Sequence, residues 1–164
     1  LGKARLMLSV VFHPPARGFA TLLKAEKYFL RRALRQTFKM INLPDKKYIV
    51  SIVLSDDATV HELNRTFRHK DKPTNVLSFP QFDDIKKLKK APAPVELGDI
   101  ILAAETVKKE AKAEKKTLRD HTAHLVAHGL LHLAGYDHDT DKNAARMEKI
   151  EVAVLAKLGI DNPY

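Results

Sequence analysis

The chain has 164 residues, no cysteine and a net charge of +9, and 45% of it is apolar. That length suffices for one self-standing core. The missing thiols exclude disulfides and thiolate chemistry, so any metal must be held by His, Asp or Glu, and the basic balance points to a polyanion, nucleic acid first.

Leu6 to Phe12 reads as a strand closed by Pro14 and Pro15. It falls far short of the roughly 20 apolar residues of a membrane span and lacks the small-residue cleavage site of a signal peptide. A cytoplasmic protein is expected. Phe19, Leu22, Leu30, Leu34, Phe38 and Ile41 recur at helical spacing with lysines and arginines between them, predicting an amphipathic helix that ends before Pro44. Tyr48 to Leu54 is a second strand, with Tyr48, Val50, Ile52 and Leu54 on one side. Ser55 or Asp56 caps a short helix through Val60, Leu63 and Phe67. Arg68 to Pro73 is a charged loop, and Asn75 to Phe79 a short strand stopped by Pro80.

Lys86 to Pro94 (KKLKKAPAP) reads as a basic, mobile loop, and Leu97 to Ala103 as a fourth strand. Helices follow from Ala104 to about Lys115, from Leu118 to Ala134 and from Thr140 to about Leu158. With no internal repeat and no linker, this order predicts a single α+β domain over residues 1–164. Its small mixed β-sheet carries packed helices, the first two strands joined through a helix and the next two by a hairpin.

His128 and His132 are four apart on a predicted helix and share a face, about 6 Å apart along the axis. Two imidazoles so placed can converge on one ion at about 2.0–2.1 Å each. Gly135 can take the left-handed conformation that ends a helix, and a short reversal brings His138 over the pair. Three neutral histidines leave a fourth position for water, as catalytic zinc sites do. The reading is one divalent metal ion, zinc first, at the reactive centre of a hydrolase. His124 and His132 are eight residues apart, about 12 Å along the axis, and cannot share an ion. His124 is left to pack near the ligands or to face substrate, and His121 is expected to be exposed. Position 129 holds glycine where the zinc-protease pattern H-E-x-x-H has its general base. Gly129 either opens room beside the metal for a bulky substrate or permits close helix–helix packing.

The run His128 to His138 (HGLLHLAGYDH) resembles the signature of the YbeY family, bacterial metal-dependent endoribonucleases of ribosomal RNA maturation. Leu63 to Pro80 (LNRTFRHKDKPTNVLSFP) is similar to the family's second signature and Leu97 to Ile101 (LGDII) to its third, in the family's order. The resemblance implies an α+β fold with the metal at one end of a cleft. It implies His128, His132 and His138 as ligands and Arg68 as the functional arginine beside the metal. It also implies single-strand-specific cleavage in maturation of the 16S ribosomal RNA 3′ end and in ribosome quality control, with ribosomal or assembly proteins as further partners.

On spacing alone Arg68 to Pro73 would be a solvated turn; the resemblance moves Arg68 into the site. There a guanidinium can meet two phosphate oxygens at once. Arg68 and His128 are the catalytic candidates, and Arg68, Lys70 and Lys72 the substrate-binding ones. Phe79, Phe82 and Tyr136 are candidates to stack on bases, Phe79 more as a core residue. Two other readings stand beside this one. A non-catalytic assembly factor would carry a structural metal closed by Asp137 or Asp139. A metallopeptidase-like hydrolase would lack its glutamate at position 129.

Overall fold

Alternation in the second strand sets the plane of the sheet. In β2 (Lys47–Ser55) Tyr48, Val50, Ile52 and Leu54 are buried while the residues between them are only partly covered. The computed structural model describes residues 7–164, so the expectation for Leu6 lies outside the described residues. β1 (Met7–Phe12) pairs parallel with β2, β2 pairs parallel with β4 (Val95–Ala103), and β3 (Val76–Pro80) pairs antiparallel with β4. The order β1-β2-β4-β3 is the mixed sheet that the element order predicts.

On one face lie α1 (Ala20–Lys39) and α5 (Leu118–Leu133). Leu30, Leu34 and Phe38 of α1 and Val126 and Leu130 of α5 form one core with the inward side chains of β2 and with Ile100 and Leu102. α2 (Asp57–Arg68) covers the other face of the β3–β4 pair, where Val60 meets Leu77 and Ala103 in a second, smaller cluster. Asp56 caps α2 by accepting from the Thr59 N–H at 2.7 Å. α4 (Ala104–Ala113) leads into α5, and α6 (Asp141–Lys157) packs against both α5 and α1.

Two expectations are corrected. Lys86 to Pro94 is not simply a mobile loop: Ile85–Lys90 forms the short helix α3, capped by Asp84. Leu88, the one apolar residue among four lysines, turns inward and is 2% exposed, and the Lys46 ammonium fastens the carbonyls of Lys89 and Ala91. The fourth strand starts at Val95, two residues before the expected Leu97, with an irregularity in its pairing between Ile49 and Val50. Gly98, beside it, has φ +132°, and a Cβ there would stand 2.2 Å from the Phe79 carbonyl oxygen. Glycine lets β3 lie this close to β4.

Candidate metal centre

α5 carries two of the histidines and its stop carries the third. Ala134 ends the helix and Gly135 takes φ +94°. The Gly135 N–H then donates to the His132 carbonyl and the Tyr136 N–H to the Leu131 carbonyl, both at 3.0 Å. This paired closure turns the chain back, and the His138 ring comes to 5.0 Å from that of His132 and 5.6 Å from that of His128. One nitrogen from each of the three rings lies within 4.8 Å of the others.

The donor set fits a metal ion. His132 Nε2 and His128 Nε2 face each other at 3.0 Å; two such lone pairs repel unless a proton or a cation lies between them. Burial, with His128 and His138 alongside, pushes the His132 pKa down to about 4, so its ring is neutral at neutral pH. Asp137 and Asp139 stand outside the group: Asp137 accepts from the His138 N–H and Asp139 from the Asn143 amide. Among the described residues the three histidines alone make such a cluster, which leaves room for a further, non-protein ligand.

Glu151 is the participant that sequence reasoning missed. It sits on α6, 1% exposed, and accepts from His128 Nδ1 at 2.8 Å. The carboxylate can only accept, so that nitrogen carries the proton and Nε2 is left to bind. His124 Nε2 lies 3.2 Å from the same oxygen, and the Tyr164 hydroxyl donates to the other at 2.7 Å. Burial alone would push the Glu151 carboxyl up, yet the hydrogen bonds from His124, His128 and Tyr164 hold it down at about 2. His124 therefore packs beside Glu151, behind His128, one of the roles left open for it. His121 is not exposed: it is 4% exposed and meets Glu110 of α4 at 2.8 Å.

Gly129 faces the sheet. A Cβ there would come within 2.9 Å of Ile100, so the glycine serves close packing of α5 on β4 rather than access to the metal.

The histidines form part of the wall of a cleft of about 1290 Å³, which Arg68, Lys70 and Lys72 also line. Arg68 donates to the Ser78 carbonyl, and its guanidinium lies 5.7 Å from the Phe79 ring centroid. The Ser78 hydroxyl donates in turn to the Gly129 carbonyl at 3.3 Å, one residue from His128. A short chain of hydrogen bonds thus ties Arg68 to the helix that carries His128 and His132. The loop after it is anchored as well: the buried Asn64 amide donates to the Lys72 carbonyl at 2.9 Å.

A family model described as Endoribonuclease YbeY matches residues 21–159. An Endoribonuclease YbeY of Paramagnetospirillum magneticum is 56% identical over 124 residues, covering 76% of this chain and 76% of that protein. One from Rhizobium etli is 46% identical over 143 residues, 87% of this chain and 79% of the relative. A solution structure of a protein from Thermotoga maritima is similar with a TM-score of 0.58 at 26% identity, covering 92% of this chain and 89% of that one. The family match runs from α1 to just past α6 and takes in all three histidines and Arg68; the chain belongs to the Endoribonuclease YbeY family.

Proposed function

We propose that this protein is a metal-dependent endoribonuclease that cuts single-stranded RNA, with His128, His132 and His138 holding one zinc ion and Arg68 serving as the catalytic arginine. The observation that carries the reading is the shared cleft: three imidazole nitrogens within 4.8 Å of one another and a guanidinium with no ion pair among the described residues line one groove. When bound, the metal supplies Lewis-acid polarisation of a phosphoryl oxygen and lowers the pKa of water.

The remaining work falls to the chain. Glu151 fixes the His128 tautomer so that Nε2 faces the cleft. Arg68, braced by the Ser78 carbonyl, meets the phosphate that gains charge as the phosphodiester is cleaved. Lys70 and Lys72 make no ion pair among the described residues and add positive charge along the strand's path. The proposed setting is ribosomal RNA maturation at the 16S 3′ end and ribosome quality control, in the cytoplasm, by one domain over residues 1–164, with ribosomal or assembly proteins as partners. Among the described residues no helix is long and apolar enough to cross a membrane. Cleavage of an unstructured oligoribonucleotide, with metal added back to chelated protein, tests the reading. Cleavage should return with the metal; a metal-restored protein that leaves the RNA intact would refute it.

A further inference from the structure

Phe67 sits beside Arg68 at the end of α2 and lines the cleft, yet it is 63% exposed. Phe79, Phe82 and Tyr136 line the same cleft, and each is partly packed against a hydrophobic core. Phe67 forgoes that burial. Its ring is held in place from beneath, edge to face on Phe79, with centroids 5.8 Å apart and planes at 76°. The Arg68 guanidinium rests on the same Phe79 ring. The carboxylates nearby are engaged: Asp71 with His61, Asp83 with Lys87, and Asp84 on the Lys86 N–H. The outcome is an exposed aromatic ring beside a cation with no ion pair among the described residues, both set against the Phe79 ring.

We propose that Phe67 is a stacking platform for an unpaired nucleobase of the RNA substrate, next to the phosphate that Arg68 meets. A nucleotide presents a flat apolar face and an anionic linkage together, and this pair of side chains answers both. A base inside a duplex already has neighbours on both faces, so the platform selects single strands. The inference rests on the ribonuclease reading and supplies what that reading leaves open, namely how the cleft chooses an unpaired strand.

The chain contains no tryptophan, so Phe67→Trp creates a unique fluorescent reporter. Wild type, Phe67→Ala and Phe67→Trp are compared on a single-stranded oligoribonucleotide and on its duplex, with metal content and thermal melting recorded for each. Phe67→Ala should raise KM for the single strand by about ten-fold, with kcat and metal content little changed. Phe67→Trp should restore binding, and its emission should be quenched by the single strand and not by the duplex. Wild-type KM in Phe67→Ala, or tryptophan emission indifferent to single-stranded RNA, would overturn the platform. Emission reads binding without cleavage. Protein that is quenched by RNA but never cuts it would therefore count against the ribonuclease reading and not against Phe67.

Discussion

Glu151 and His128 share one hydrogen bond, and that bond decides which imidazole nitrogen is free for a metal. Glu151→Gln keeps the shape but can present an N–H to His128 in place of an oxygen. Metal affinity at neutral pH should fall by roughly 10- to 100-fold, while the metal-free protein keeps its fold. Calorimetric titration beside circular dichroism checks this, and unchanged affinity would remove Glu151 from the centre. Arg68→Lys keeps the charge but loses the planar fork, so it should retain the metal and lose most RNA cleavage, as metal analysis and kinetics on one preparation would reveal. His128 and His132 were legible in the sequence because helical geometry alone puts positions four apart on one face. Glu151 was not: it lies 23 residues from His128 on another helix, and no local spacing rule sets how α6 docks on α5. His121 was misjudged for the same reason, since only the packing of α4 against α5 brings Glu110 to it.

α3 is held to the core by one side chain. Leu88 is buried, so Leu88→Ala should cost about 2–5 kcal/mol of stability, measured by denaturant unfolding, and residues 85–90 should resist brief proteolysis in the wild type. Rapid cleavage there, with Leu88→Ala as stable as wild type, would reinstate a mobile loop. A single leucine among lysines has no periodicity to read, which is why the segment looked like a loop in sequence. The longer elements were legible because their apolar spacing repeats: α1 over five turns, β2 over four inward side chains. Gly129 shows the reverse. Its identity suggested either room or helix–helix packing, and the position of Ile100 shows that the close neighbour is strand β4 instead.

For the molecule as a whole, acid should unfold the metal-free protein early. His132 titrates at about 4 in the fold against an ordinary 6.5, and Glu151 at about 2 against 4.5. Between each pair of values the unfolded chain binds more protons than the native one, so stability falls as pH drops, first below about 6.5 and again below about 4.5. Melting temperature should decline across that window, and saturating zinc should raise it at pH 7 more than at pH 5, because protons compete for the histidines. The net charge of +9 foretold a polyanionic partner, but charge is not local. The placement of Arg68 in the metal cleft followed only from family resemblance, because it depends on Ser78 bridging β3 to α5. Whether the three histidines and Arg68 form one RNA-cleaving centre can be read from single-stranded RNA cleavage with metal content measured alongside, for wild type, His128→Ala and Arg68→Glu. Wild type should hold metal and cut, His128→Ala should lose both, and Arg68→Glu should hold metal without cutting. Metal-loaded wild type that leaves RNA intact, beside a His128→Ala variant that cannot fold, would show the metal to be structural and contradict the account.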